Sequence, residues 1–207
     1  FFANSGSEAN EAAFKLARRQ GHEVPGQDGP RARILALEDS FHGRTAGSLA
    51  MTAKKAYREP FEPLPTGVEF LAPTLEALEA AVDNTVSALI VEPVRGEAGV
   101  RPLPEGWLRR ARQLTREHGA LLILDEIATG FGRTGDVFAA DHARVSPDIM
   151  CVGKALTGGY LTRAATLCTE AIAETISAGE AGGLAHGPTF MANPLACAIA
   201  VASTELL

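Results

Sequence analysis

Ala120-Leu121-Leu122-Ile123-Leu124-Asp125 is an apolar run that ends in a carboxylate. A second run, Ile149-Met150-Cys151-Val152-Gly153, ends in Lys154. Both runs have the length and composition of buried β-strands. Segments with strand and helix patterns alternate along the rest of the chain, as they do in βαβ units. The sequence therefore predicts an α/β fold with a mostly parallel sheet flanked by helices.

Several further elements are predicted from local patterns. Ser5 and Glu8 have capping-box spacing, an apolar stripe follows them, and Gly21 should end this first helix. A second helix should run from the residues after Gly43 to about Tyr57. The remaining predictions are helices over residues 74–83 and 105–118 and strands over residues 33–37 and 87–91.

Composition excludes some classes of protein. The 207 residues suit one α/β domain, and a net charge of −6 without long charged blocks argues against nucleic-acid partners. No apolar stretch approaches the roughly 20 residues of a membrane helix, and no signal-peptide pattern opens the chain. Three cysteines without CxxC spacing are expected to be reduced thiols. We therefore expect a cytoplasmic protein without a membrane partner.

Four short elements are expected to meet at one edge of the sheet, because ligands of open α/β sheets bind at the carboxyl ends of the strands. They are residues 5–7, residues 41–43, Asp125 and Lys154. One of them alone is weak evidence, since a lysine after a strand is most often a solvated surface residue. Their shared position predicts a functional site.

The two loops fit a flat, phosphorylated ligand. Gly6 and Ser7 open a helix, where free backbone N–H groups and the helix dipole favour a phosphate. Phe41 can lie on a heteroaromatic ring, which contributes about 0.5–1.5 kcal/mol beyond area burial. Plain capping by Ser5 and a core position for Phe41 are the alternatives. His42 is expected to be a hydrogen-bonding residue of this ligand site, and no His or Cys spacing predicts a metal site.

Asp125 and Lys154 supply the two charges that pyridoxal 5′-phosphate requires. A lysine amine forms a Schiff base with the cofactor, and a nearby carboxylate favours the protonated pyridine nitrogen. The displaced lysine is then the free base that moves the substrate proton. The sequence predicts a pyridoxal-phosphate enzyme with these two residues as its catalytic residues.

The same residues resemble the class-III branch of the fold-type-I, pyridoxal-phosphate-dependent aminotransferases. Six stretches match in the order of the family: Phe2-Ala3-Asn4-Ser5-Gly6-Ser7-Glu8-Ala9-Asn10, Ser40-Phe41-His42-Gly43-Arg44-Thr45, Glu92-Pro93, Leu124-Asp125-Glu126, Gly132-Arg133-Thr134-Gly135 and Gly153-Lys154-Ala155. The resemblance implies that Lys154 is the Schiff-base lysine and Asp125 the pyridinium partner. It also implies that Gly6 and Ser7 bind the phosphate and that Phe41 stacks on the ring.

The resemblance carries further implications for the whole chain. Residues 1–207 would be the large, pyridoxal-phosphate-binding domain, truncated at both ends, with the small C-terminal domain beyond residue 207. Thr189 would contact the phosphate of the neighbouring subunit, which implies a homodimer with shared active sites. Glu97 matches the glutamate that helps gate the substrate pocket of acetylornithine and ornithine aminotransferases. The substrates would be a small amine or amino acid and a carbonyl compound.

The resemblance to subfamilies is split near residue 124. Before it, the chain is most similar to acetylornithine/ornithine aminotransferases. From Asp125 onward it is most similar to adenosylmethionine–8-amino-7-oxononanoate aminotransferase of biotin synthesis, and Ala128 stands where acetylornithine enzymes usually carry Gln. The leading prediction is therefore the biotin-pathway reaction. The alternatives are the acetylornithine/ornithine reaction, an aminomutase of the glutamate-semialdehyde type, and a fragment that is inactive in isolation.

Overall fold

The predicted parallel sheet is present, with one antiparallel strand inside it. A computed structural model describes residues 1–27 and 29–207, and in these ranges it has nine strands: β1 (Phe2–Ala3), β2 (Arg33–Leu37), β3 (Val68–Leu71), β4 (Val86–Val91), β5 (Val94–Arg95), β6 (Arg101–Pro102), β7 (Leu121–Asp125), β8 (Ile149–Val152) and β9 (Ala164–Cys168). Seven form one sheet in the order β1-β9-β8-β7-β4-β2-β3. Strands β3, β2, β4, β7 and β8 pair in parallel, whereas β9 is antiparallel to both β8 and β1.

Helices cover both faces of the sheet. In the described ranges they are α1 (Gly6–Glu23), α2 (Ala46–Ala50), α3 (Lys55–Arg58), α4 (Leu75–Ala81), α5 (Trp107–His118), α6 (Ala139–Ala143), α7 (Glu170–Ala178) and α8 (Pro194–Thr204), with 3-10 turns at Glu59–Phe61 and Lys154–Thr157. None of these described helices is both long enough and apolar enough to cross a membrane.

Strand β4 shows why its sequence is continuously apolar. All six of its residues are buried, because helices lie on both sides of it. Ala88 and Ile90 pack into a core with α1 and α7, whereas Leu89 and Val91 pack into a second core with α4 and α5. The sheet is therefore held rigidly between two apolar layers, which fixes the positions of its strand ends.

Two predicted helix boundaries are wrong. Helix α1 continues to Glu23 and does not end at Gly21. A Cβ on Gly21 would lie 2.2 Å from the carbonyl oxygen of Arg31, so this glycine is required by close packing within the helix.

The helix predicted to reach about Tyr57 is in fact two short helices, α2 and α3. Thr52 lies between them and is fully buried. Its hydroxyl accepts the backbone N–H of His42 at 2.9 Å and contacts the carbonyl oxygen of Gly43 at 3.0 Å. These bonds hold the chain against residues 41–43 at the point where the helix is interrupted.

Glu126 fixes the loop after β7 to helix α6. Its side chain is completely buried, and its carboxylate accepts the backbone N–H groups of Ala139 (3.2 Å) and Ala140 (2.8 Å) and the hydroxyl of Thr129. The loop contains the residues that follow Asp125, so this carboxylate stabilises the backbone beside the sheet edge.

Replacement of Glu126 by Gln should destabilise the full-length protein by about 1–3 kcal/mol. The amide has one acceptor oxygen where three donors converge, so its NH₂ group must face one of them. We expect a lower denaturant midpoint with an unchanged slope. Glu174→Gln, at an exposed position on α7, is the matched control and should leave the midpoint unchanged. Equal midpoints for the two variants would contradict this role of Glu126.

Candidate active site

A cavity of about 220 Å³ lies at the carboxyl edge of the sheet. All four predicted elements line it: residues 5–7, residues 41–43, Asp125 and Lys154. The topology explains the meeting of the two charged residues. Asp125 ends β7 and pairs in parallel with Cys151 of β8, and Lys154 follows shortly after that strand ends. Adjacent parallel strands thus deliver both side chains to one edge.

Asp125 is held in place by three donors. It is buried, and its Oδ2 accepts a hydrogen bond from Asn10 Nδ2 at 2.7 Å. His42 Nδ1 lies 2.8 Å from the same oxygen, so a proton on Nδ1 completes a second bond. Oδ1 accepts the backbone N–H of Ile127 at 3.1 Å. These bonds fix the carboxylate and leave His42 in the hydrogen-bonding role predicted for it.

Asn10 is a residue of this site that sequence reasoning did not single out. Its amide also donates to the carbonyl oxygen of His42 at 2.7 Å, so it ties Asp125 to the turn at residues 41–43. The available signal was helical spacing. Asn10 lies four residues after Gly6 and three after Ser7, which places all three on one face of α1.

Lys154 has an unusual backbone conformation. Its φ is +43°, in the left-handed region that residues other than glycine rarely adopt. Such a conformation costs on the order of 1–3 kcal/mol and is concentrated at functional positions. The residue opens a 3-10 turn directly after β8, and its side chain is exposed within this chain. The amine is therefore accessible from the cavity.

The start of α1 has the form of an anion site. The first N–H groups of a helix have no partner inside the helix, and here those of Gly6 and Ser7 are beside the cavity. Gly43 allows the approach of the second loop, since a Cβ there would lie 2.5 Å from Ser7 Oγ and its φ is +125°. Ser5 Oγ also accepts the N–H of Glu8 at 3.2 Å, so the predicted helix cap is present too.

Phe41 and Glu97 both line the cavity. The half-buried ring of Phe41 makes an edge contact with Tyr57, with centroids 6.3 Å apart. Glu97 is exposed and lines both this cavity and an adjoining one of about 610 Å³. Its position suits a gate between the two spaces. The stacking of Phe41 and the gating by Glu97 stay predictions.

Thr189 does not line this cavity in the chain described. It is exposed in the turn before α8. Its predicted contact concerns the phosphate of a neighbouring subunit and stays a prediction. Among residues 1–27 and 29–207 there is no cluster of three or more His, Cys, Asp or Glu side chains placed to hold a metal ion.

Known proteins are similar to this chain in sequence and in fold. The family model described as aminotransferase class-III matches residues 1–207. An acetylornithine aminotransferase of Methanopyrus kandleri is 48% identical over 206 residues, which are 99% of this chain and 49% of that protein. An adenosylmethionine-8-amino-7-oxononanoate aminotransferase of Mycobacterium leprae is 47% identical over 220 residues, covering 100% of this chain and 50% of that protein.

A solved structure gives the same result. The ornithine aminotransferase of Toxoplasma gondii superposes with a TM-score of 0.90 and 37% identity, covering 99% of this chain and 48% of that one. The chain thus spans about half the length of the relatives it matches.

Proposed function

The chain belongs to the class-III aminotransferase family, and we propose that the protein of which it is part transfers an amino group from an amine or amino acid to a carbonyl compound. The observation that carries the proposal is the convergence of the Lys154 amine and the Asp125 carboxylate on one cavity at the carboxyl edge of the sheet. The two strands that lead to these residues are packed on both faces of the sheet.

The family depends on pyridoxal 5′-phosphate, and the residues present suit it. The cavity combines an amine, a fixed carboxylate, an aromatic ring and a helix start with free N–H groups. Gly43 lets the second loop approach the start of α1 closely, since a Cβ there would lie 2.5 Å from Ser7 Oγ. These protein groups suit a ligand that has a phosphate group and a nitrogen-containing ring.

Each residue has a separate task in the proposed reaction. When bound, the cofactor supplies an aldehyde for the amine and a ring that takes up electrons from the substrate carbon. Lys154 would hold the aldehyde through its amine and, once the amine of the donor has displaced it, would be the free base that moves the Cα proton of the substrate. The Asp125 carboxylate would favour a protonated ring nitrogen. Gly6 and Ser7 would hold the phosphate, and Phe41 would flank the ring.

Acetylornithine or ornithine is our first candidate for the amino donor, which reverses the order that the sequence alone favoured. It is supported by the similarity to the acetylornithine aminotransferase of Methanopyrus kandleri and to the ornithine aminotransferase of Toxoplasma gondii. The exposed carboxylate of Glu97 at the junction of the two cavities supports ornithine in particular, because it can interact with the second amino group of that donor, which in acetylornithine is an amide.

Adenosylmethionine with 8-amino-7-oxononanoate as acceptor is the second candidate. It is supported by the Mycobacterium leprae relative. Ala128 supports it as well, since this small residue lines the cavity where acetylornithine enzymes usually carry Gln.

Assays of the full-length protein with each donor and a carbonyl acceptor distinguish the candidates. We expect faster turnover with acetylornithine or ornithine than with adenosylmethionine. The opposite order would favour the biotin-pathway reaction, and turnover that needs no external carbonyl acceptor would indicate an aminomutase. Activity with neither donor would reject both substrate assignments.

We further propose that residues 1–207 belong to the large domain of the protein and that the protein is a homodimer. Several apolar side chains near the Thr189 turn and α8 are exposed in the single chain: Phe190, Leu195 and Val201. A second subunit packed there would cover them and would bring a partner's Thr189 towards the phosphate. Sedimentation of the full-length protein tests this, because a monomer at working concentration would contradict it.

A further inference from the structure

Glu92 is a buried carboxylate in the cavity to which the reaction assigns no task. It follows β4 directly, and only 5% of its surface is exposed. Its Oε2 accepts the backbone N–H of Phe41 at 3.0 Å, and its Oε1 accepts the backbone N–H of Gly96 at 3.3 Å. Each carboxylate oxygen therefore holds a different loop, and both loops line the cavity.

The two loops carry two side chains that line the cavity. One has Phe41, and the other has Glu97 directly after Gly96. Glu92 itself sits at the end of a strand that is buried along its whole length, so it is a rigid anchor for both. Loss of either oxygen as an acceptor removes the hydrogen bond that holds one of the loops to this strand end.

We propose that Glu92 is a positioning residue, whose two carboxylate oxygens set the spacing between Phe41 and Glu97 across the cavity and so the fit of the amino donor. This inference rests on the proposed function, because it takes the ligand that fits between Phe41 and Glu97 to be the amino donor. Glu92 acts through the backbone of residues 41 and 96 and touches no reacting atom.

The chemistry of the residue supports a structural task for both oxygens. Burial raises the pKa of Glu92, the nearby His42 lowers it, and the negative charge of Asp125 raises it again. The two backbone N–H groups also lower it, which means that they stabilise the ionised form. A glutamine would fill the same volume, but it has one acceptor oxygen for two donors.

Backbone hydrogen exchange of the full-length protein without cofactor tests the tether independently of activity. In the unsubstituted protein the amides of Phe41 and Gly96 should exchange slowly. In Glu92→Gln at least one of them should exchange about tenfold faster or more, the size expected for losing a hydrogen bond to a charged group. Glu105→Gln, at an exposed position before α5, is the matched control and should change neither.

Kinetics of the loaded enzyme test the consequence. Glu92→Gln should raise KM for the amino donor by a larger factor than it lowers kcat, because ground-state fit is affected more than proton transfer. Rapid exchange of both amides in the unsubstituted protein would overturn the tether with no variant needed. Accelerated exchange with an unchanged KM would overturn the role in donor fit. If the unsubstituted protein transfers no amino group, the proposed function fails, whereas the exchange result still decides the tether.

Discussion

The full-length protein with Lys154→Ala should lose amino transfer by about 10³-fold or more, because proton transfer by a positioned group alone contributes about 10²–10⁴-fold. The variant also loses the covalent attachment of the cofactor, so the absorption band of the bound cofactor should shift to that of the free aldehyde. Steady-state assays and absorption spectra of the same samples measure both effects.

Lys15→Ala is the matched control for this substitution. Lys15 lies on α1, and its contact is a long one of 3.4 Å to the carbonyl oxygen of Ala185. The control should keep both the rate and the absorption band. Retention of the band and of more than a tenth of the rate in Lys154→Ala would mean that another amine does the work.

Asp125→Asn should reduce amino transfer by about 100-fold or more, since an opposite charge beside a titrating group shifts its pKa by about 1–3 units. The amide keeps the size of the side chain but removes the charge that favours a protonated ring nitrogen. An analogue of the cofactor with a methyl group on the ring nitrogen carries a permanent positive charge. It should restore part of the rate in Asp125→Asn and none in Lys154→Ala.

Asp136→Asn is the control for the loss of an acidic group. Asp136 is exposed and pairs with the exposed His142, away from the cavity. Its replacement should leave the rate unchanged with either form of the cofactor. A rate for Asp125→Asn equal to that of this control would contradict the proposed task of Asp125.

The positions of Asp125 and Lys154 were predictable because they depend on the apolar pattern of two strands and on the rule that parallel strands end at the same edge of a sheet. Apolar runs marked β7 and β8, and parallel neighbours must end at the same edge. Asp125 and Lys154 therefore meet in the cavity as predicted. The helix start at Gly6 was predictable for a similar reason, since its cap involves residues three positions apart.

Other features depend on contacts between distant segments and left little trace in the sequence. Strand β9 is antiparallel inside a parallel sheet, and its residues Ala164-Ala165-Thr166-Leu167-Cys168 have no strong strand pattern. The helix predicted to reach about Tyr57 is interrupted near Thr52, whose hydroxyl bonds to the turn at residues 41–43.

The supporting residues of the site were missed for the same reason. Asn10 and Glu92 stand in two of the stretches that match the family, but their tasks appear only when α1, β4 and the turn at residues 41–43 are brought together. Sequence patterns report the residues that sit at the ends of elements. They do not report which backbone groups those residues must bind.

Reduction of the cofactor-loaded, full-length protein with borohydride, followed by mass spectrometry of its peptides, tests the central claim most directly. The reduction fixes the cofactor to the amine that holds it. The account predicts the added mass on the peptide that contains Lys154. The added mass on a peptide containing Lys15, Lys54 or Lys55, or on no peptide of this chain, would contradict it.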